Sequence, residues 1–520
     1  MTHGSPTITG PIRFLPRAPL PALAVALVLV LPACAPLQQA GVTERLRAEV
    51  KAAHKRAQGA EKAHIDALRR FYAHRHYQLA WFTDRRLNAN AGALARALRV
   101  LPGDGVHEFE EDAVVLDSAR RAAGHAWAVV PPSDSAVSVL EIRLTRAWLA
   151  ASMRLRFGAI PDSALDRRWR RREAGTRSER RLAEALSNHA VAESLAASAP
   201  ADSAYIALRA ALAREVRTLQ ETHGLTPTGI VDGPTREVMD VAFAQRVRTV
   251  EANLERYRWL PQRPAGPHVE VNIADAMLEA RSDSGQTLRM RVVVGDRNHP
   301  TPVFSTEIAW MDLNPTWTMT RRVVAEEVLP ALRRDSTYLQ KHQLQVLRPI
   351  DGVLTQVPVS AVNWDSVTSD TFRTFVRQGI GKQNPLGRIR FMCPNPFDVF
   401  LHDTNQRGLF RLADRAKSHG CVRLEHPLEL AAWLLSLQVP TPVDSVQVAL
   451  NDTTSRRWPL EPRVPLDVLY WTAWVDEQGV LQVCDDVYGL DARLMDAIEQ
   501  GHPESFVLNP EPEWGIQREP

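Results

Sequence analysis

Only four cysteines occur in 520 residues, with no CxxC pair and no HExxH run, and the formal net charge is just +3 at pH 7. The missing pairs leave no ready-made zinc-finger or zincin pattern. The near-balanced charge gives no reason to expect nucleic acid as a partner. The apolar run Leu20 to Leu31 is shorter than the roughly 20 residues a membrane-spanning helix needs. Glycine is scarce between Thr43 and Leu195, a stretch rich in Ala, Leu, Arg and Glu, which speaks for helix. The length itself exceeds what one hydrophobic core usually supports, so two to four domains are expected.

Arg13 and Arg17 precede the apolar run, and Pro32-Ala33-Cys34-Ala35 follows it. Basic, apolar and small in that order is the pattern of a secretory signal, with an uncleaved anchor helix as the alternative. Leu31-Pro32-Ala33-Cys34 resembles a lipoprotein processing box, in which Cys34 becomes the lipidated first residue. Pro32 is unusual there, and Ala33-Cys34-Ala35 equally suits ordinary cleavage, so both readings stay open. Export implies an oxidising compartment in which Cys393 and Cys484 could pair, which sequence does not decide.

The chemistry concentrates in His402-Asp403-Thr404 and Ser418-His419-Gly420-Cys421-Val422-Arg423. A thiol attacks only as thiolate, and at an ordinary pKa of about 8.5 it needs a neighbouring imidazole. His419 stands two residues from Cys421, a spacing that shares a face if the segment is extended. His402 must come from another strand, and Phe397 to Leu401 reads as a buried strand delivering it. Thr404 to Lys417 reads as a loop or lid between them. Gly420, lacking a Cβ, permits a tight turn or close approach of a substrate carbonyl. His402, His419 and Cys421 could instead supply three zinc ligands, but no fourth ligand stands at a metal spacing, which favours the nucleophile. No metal and no cofactor is assigned.

A Ser-His-Gly-Cys run arises by chance in a chain of this length about once in a thousand sequences. With His402 at its upstream offset, the segment resembles the L,D-transpeptidase signature. The likeness extends, in order, to Asn253 to Pro261, Val292-Val293-Val294-Gly295, Thr301-Pro302, Asn314-Pro315-Thr316-Trp317, Asn384-Pro385-Leu386-Gly387 and Tyr470-Trp471-Thr472-Ala473-Trp474. It resembles the large periplasmic L,D-transpeptidases of Gram-negative bacteria, with a YkuD-type catalytic domain and a helical scaffold. Two departures stand out: Thr318-Met319-Thr320-Arg321-Arg322 occupies an expected proline-containing stretch, and Cys393 an expected aromatic or apolar position.

The expected fold is α+β and multidomain. After a signal at 1–35, a helical scaffold covers 43–197, with helical periodicity over Asn90 to Leu101 and Val139 to Phe157. Phe71-Tyr72 and Trp81-Phe82 could line a binding surface or belong to the core. The cluster Arg167 to Arg172 suits a solvated helix face better than a contact with anionic polymer. Residues 198–247, a helix, a glycine-punctuated turn and a helix begun at Pro234-Thr235, look like a small peptidoglycan-binding module, with a further scaffold hairpin as the alternative. Short runs of Val, Ile and Phe over 267–446 imply a predominantly β catalytic domain. The helical and turn-rich stretch 314–379 is a capping insertion by resemblance. Residues 447–520 form an extension whose Val464 to Gly489 reads as a hairpin turning at Asp476 to Gly479.

The resemblance implies Cys421 as nucleophile, His402 as base, and Asp403 as third member through its backbone carbonyl. Gly420 and Cys421 N–H groups are expected to hold the oxyanion, with Ser418 and His419 shaping the pocket. Arg423 is expected to bind a substrate carboxylate or to brace the loop by an ion pair. The implied substrates are peptidoglycan stems: a tetrapeptide donor and a diamino acid amine acceptor, joined as a 3-3 cross-link. Resolution of the same acyl-enzyme by water or another amine, a zinc hydrolase, and a non-catalytic wall-binding scaffold are the alternatives. The implied location is the periplasm, with membrane anchoring through lipidated Cys34 as an option.

Overall fold

The computed structural model describes residues 37–57, 61–125, 132–165, 177–259, 266–283, 285, 287–319, 323–351, 353–364, 374–438, 444–452 and 454–509. The signal region with Cys34 and the arginine cluster Arg167 to Arg172 lie outside them. The chain divides into two compact units, one built from Met1–Gly158, Arg172–Arg258 and Val475–Leu481, the other from Ala159–Arg171, Trp259–Trp474 and Gln482–Pro520.

The first unit is helical: α1 (Leu37–Arg56), α2 (Glu61–His74), α3 (Ala89–Val100), α4 (Glu110–His125), α5 (Asp134–Phe157), α6 (Ser178–Ser187), α7 (Val191–Ala196), α8 (Ser203–Thr222), α9 (Gly233–Val238) and α10 (Val241–Tyr257). Short polar side chains start several of them. Asn88, Ser133, Asp202, Asp232 and Asp240 accept from the first-turn N–H groups of α3, α5, α8, α9 and α10, satisfying donors that no helix can satisfy alone. On α5, Val137, Leu144, Trp148, Ala151 and Leu155 recur at helical spacing and are buried against Leu46, Leu68 and Leu94. Phe71, Tyr72, Trp81 and Phe82 belong to the same core, so they line no surface.

Several polar groups in this core are paired. Glu141 on α5 accepts from the Ala80 and Trp81 N–H groups at 2.6 and 3.1 Å and from Tyr72 Oη at 3.0 Å. Arg258, fully buried, reaches Glu255 at 2.9 Å and Tyr205 Oη at 3.0 Å, and Tyr205 Oη donates to Asp104 Oδ1 at 2.7 Å. After α8, Gln220 closes the turn toward α9: its Oε1 accepts from Gly229 N, and its Nε2 donates to Thr228, Ile230 and Thr235.

The second unit is mostly β. Its main sheet contains β3 (His268–Asn272), β4 (Met277–Arg281), β5 (Thr287–Gly295), β6 (Phe304–Leu313), β11 (Ile389–Met392), β12 (Leu401–His402), β13 (Ala416–Ser418), β14 (Val422–Leu424) and β15 (Arg456–Leu469), in the order β13-β5-β14-β12-β11-β6-β15-β3-β4. Because β4 also pairs with β5, the sheet closes on itself and leaves only β13 as an appended strand. Inside lie Val269, Val271, Leu278, Val292, Ile308, Met311, Phe391, Leu401, Leu424 and Leu466, apolar at alternate positions. β15 shifts register between Pro459 and Val464, where prolines withhold ladder donors.

Between β6 and β11 the chain builds a second, four-stranded sheet, β7 (Trp317–Thr318), β8 (Leu344–Ile350), β9 (Val353–Val357) and β10 (Phe375–Gln378), in the order β7-β10-β8-β9. A π-turn at Val324–Val328 runs into α11 (Leu329–Arg334), followed by α12 (Tyr338–Lys341). Met319, Val324, Val328, Leu339, Val346 and Val376 give this segment a core of its own. It carries strands where the sequence suggested mainly helix and turn, because Leu344 to Val357 alternates only weakly and hides its period.

Three further elements complete the unit: α13 (Pro427–Ser436), α14 (Asp444–Asn451) and α15 (Leu490–Glu499). The distal hairpin is shorter than expected. Its strands are β16 (Ala473–Val475) and β17 (Leu481–Val483), whereas Val464 to Leu469 continues β15. Its turn stands at the expected place, with Asp476 Oδ1 accepting from Gln478 and Val480 N–H. No described helix is long and apolar enough to cross a membrane.

Candidate active site

The strand expected over Phe397 to Leu401 shrinks to the two residues of β12. Asn395 is the reason: its Oδ1 accepts from Phe397 and Val399 N–H, and its Nδ2 donates to the Cys393 and Val399 carbonyls, holding the backbone in a turn. β12 pairs parallel with β14, Leu401 opposite Val422 and His402 opposite Arg423. The Val422 N–H donates to Phe400 O, so Cys421 comes beside Phe400. His402 and Arg423 stand opposite each other in this register, and Cys421 directly precedes β14 with its Sγ 4.0 Å from the Asp398 carbonyl.

His402 is buried and its Nδ1 lies 2.5 Å from the Asp403 backbone carbonyl. A carbonyl only accepts, so Nδ1 carries the hydrogen and Nε2 is the basic nitrogen. The Asp403 carboxylate points elsewhere, accepting from Arg388 N at 2.9 Å and Thr404 N at 2.7 Å. Gly387, at φ +60°, makes room for it: a Cβ there would stand 2.3 Å from Asp403 Oδ2.

His419 does not share a face with Cys421. β13 ends at Ser418, β14 begins at Val422, and Gly420 at φ +111° breaks the extended alternation between them. The imidazole of His419 instead lies 3.2 Å from Glu327 Oε1 and tilted against His299, with centroids 4.5 Å apart and planes at 47°.

The loop is braced from inside. Ser418 Oγ donates to Cys421 O at 2.6 Å and accepts from Gly420 N at 3.2 Å. The Gly420 N–H is thereby engaged, while the Cys421 N–H makes no hydrogen bond among the described residues. Thr301 Oγ1 donates to Gly420 O at 2.7 Å and accepts from Gly295 N at 2.8 Å. Tyr488, from the distal extension, donates to Gly295 O at 2.6 Å, accepts from Thr301 N at 3.2 Å, and stacks on Tyr470. Sequence reasoning noted Thr301-Pro302 without a role and had no signal for Tyr488.

Burial pushes the Cys421 thiol up to about 11, against the Phe400 N–H and the Arg423 and Arg390 cations, which favour thiolate. Burial, then Arg423, hold His402 down at about 3, against the pull of the Asp403 carbonyl. Both directions say that the resting pair is thiol and neutral imidazole. Arg423 Nη1 donates to Gln406 Oε1 at 2.7 Å, Nε is buried without a partner, and no carboxylate forms an ion pair with it among the described residues. The loop brace expected from an ion pair is therefore a neutral one. Arg390, by contrast, is paired with Asp312 at 2.6 Å and lies over the Phe400 ring.

Cys393 is a buried free thiol donating to Val399 O at 3.3 Å, and Cys484 is free as well, so the possible pairing of these two is absent. Burial pushes both up to about 12, which keeps them protonated and poor nucleophiles.

Residues 266–448 match the family model of the L,D-transpeptidase catalytic domain, YkuD, and residues 66–212 match that of a scaffold domain. A Haemophilus influenzae protein named "Putative L,D-transpeptidase" is 32% identical over 243 residues, 46% of this chain and 48% of that protein. The chain thus spans about half the length of that curated relative. A solved structure, the "Structure of the Ldtfm-avibactam carbamoyl enzyme", shares 13% identity over 40% of this chain and 49% of that one, at a TM-score of 0.18.

Proposed function

We propose, on the premise that residues 266–448 are an L,D-transpeptidase catalytic domain of the YkuD family, that the protein forms 3-3 cross-links between peptidoglycan stems through an acyl-enzyme on Cys421. The observation that carries this reading is His402, its Nδ1 held by the Asp403 carbonyl, on a strand paired in parallel with the one that begins directly after Cys421.

In this mechanism His402 Nε2 takes the proton of Cys421 as the sulfur attacks the carbonyl of the third, diamino acid residue of a tetrapeptide stem. The Cys421 N–H supports the oxyanion, an interaction typically worth about 3 kcal/mol. The imidazolium returns its proton to the departing D-alanine amine, leaving a thioester. An amine on a second stem attacks the thioester, His402 takes its proton, and the thiol is restored with a new amide bond formed. Arg423, which forms no ion pair among the described residues, suits a substrate carboxylate. Both groups rest neutral, so the proton moves only as the bond forms and no standing thiolate waits for adventitious electrophiles.

The four-stranded segment between β6 and β11 serves as a cap over the thiol, and the α8 to α10 region as a wall-binding module that raises the local concentration of an insoluble substrate. Action in the periplasm, by a free or Cys34-anchored form, belongs to the same reading.

The test is incubation of the protein and its Cys421→Ala form with a tetrapeptide-stem muropeptide, followed by intact-protein and peptide mass spectrometry. A Cys421-dependent adduct with cross-linked dimers supports the proposal. A tripeptide alone replaces it with a carboxypeptidase, and neither adduct nor product from folded protein removes the substrate assignment.

A further inference from the structure

Three separate stretches of the second unit bring metal-binding side chains together beside the nucleophile loop. His299 comes from the loop after β5, Glu326 from the π-turn before α11, and His419 from the bend before Cys421. One ligand atom of each lies within 4.8 Å of the others. Two imidazoles and a carboxylate are the protein ligands of a four-coordinate zinc site with one open position. Ligand atoms about 2.1 Å from a tetrahedral ion stand about 3.4 Å apart, so closure around an ion needs shifts of roughly 1 Å.

A second observation concerns His299 alone. Its Nδ1 is 2.9 Å from Asp296 Oδ1, which also accepts the His299 and Asn298 backbone N–H groups at 2.8 Å each. A carboxylate accepting from Nδ1–H and aiming Nε2 outward is the outer-shell arrangement of metal-binding histidines. That Nε2 points at Glu326 Oε2, 3.0 Å away. His299 is only 13% exposed while Glu326 and His419 are 42% and 39% exposed, so the cluster has a fixed floor and an open entrance. Glu327 Oε1 lies 3.2 Å from His419 Nε2, at the edge of the same cluster. Without an ion, the same groups make an imidazole–carboxylate hydrogen-bond cluster.

The geometry points to a site for a zinc-type divalent cation formed by His299, Glu326 and His419, with Asp296 orienting His299. Binding displaces the proton between His299 and Glu326 and fastens the segment between β6 and β11 to the nucleophile loop. His419 stands two residues before Cys421, so an occupied site restrains that segment over the thiol and slows turnover. The effect on turnover rests on the acyl-transfer reading above; the binding does not.

Zinc chloride is titrated calorimetrically into the full chain and its Glu326→Gln, His299→Gln and Cys421→Ala forms, each checked for folding by circular dichroism. Wild type and Cys421→Ala are expected to bind one equivalent alike, and the other two about tenfold or more weakly. The zinc absorption edge is expected to report nitrogen and oxygen neighbours without sulfur at about 2.3 Å. Asp296→Asn, which keeps the shape of the orienting residue, is expected to weaken binding as well. No binding by folded wild type overturns the site, and so does loss of binding in Cys421→Ala with sulfur around the ion, which would mean capture by the thiolate. Turnover unchanged at saturating zinc overturns the fastening. Zinc bound as expected by a protein with no transpeptidase activity leaves the site standing and removes only the functional reading.

Discussion

Both units bury charge, but they treat it differently. In the helical unit Glu141 is met by two backbone N–H groups and a tyrosine hydroxyl, and Arg258 by Glu255 and Tyr205. In the β unit His402 is held only by backbone carbonyls, with Asp403 O at 2.5 Å, and Arg423 donates to a neutral amide and forms no ion pair among the described residues. Saturated polar groups specify packing; unsaturated ones hold interaction capacity for something that arrives later. Substitutions should therefore separate, those in the first class moving stability and those in the second moving rate.

The largest effect is expected at His402. His402→Gln keeps a similar volume but removes the base, and kcat/KM for a stem-peptide donor should fall by about 10³-fold with little change in melting temperature. An equal loss of thermal stability would erase the contrast between the units.

Glu141→Gln is the converse. It should cost about 1–3 kcal/mol by presenting an amide where two N–H groups and a hydroxyl need acceptors, with activity of the folded fraction unchanged. Burial raises the Glu141 carboxyl to about 7 against the opposing hydrogen bonds. Its folded pKa thus lies above the unfolded value of about 4.3, so the stability linked to its proton is present below that value and is lost as pH rises through 7. Denaturant melts across this range should show the decline in wild type and a flatter course in Glu141→Gln.

Gly387→Ala probes the boundary between the classes. Steric conflict with the Asp403 carboxylate should shift the backbone that carries the His402 acceptor, lowering kcat/KM about tenfold, or about 1.4 kcal/mol. A loss confined to KM would mean that the groove moved and the base did not.

The smallest expected change is a displacement of the pH profile. Arg423 disfavours imidazolium at His402 and favours thiolate at Cys421. Arg423→Gln should therefore raise both pKa values and move both limbs of kcat/KM toward higher pH, a shift read from the profile in which no movement contradicts the electrostatic account.

Much of the site was legible because its chemistry is local. Ser418 to Arg423 with His402 upstream named a candidate nucleophile and two candidate bases, and the run of short β segments announced the sheet that holds them. Local spacing alone did not separate His402 from His419, which only the resemblance did; in the structure the segment bends at Gly420 and His419 lies against Glu327, far away in sequence. The strand expected before His402 failed because Asn395 satisfies that backbone with its own side chain, which hydrophobic pattern does not report.

By itself, then, the sequence determined the residue types of the proposed reaction, the order of a helical region followed by a mostly β one, and the scarcity of thiols. Those properties are set by composition and by contacts within a few residues. Tertiary structure alone decided that the strand of His402 pairs with the one after Cys421, that Cys393 and Cys484 stay apart, that Tyr488 and Thr301 brace the loop before Cys421, and that His299, Glu326 and His419 meet. Each of these joins segments tens to hundreds of residues apart through strand register and side-chain burial, and no local spacing encodes where two such segments meet.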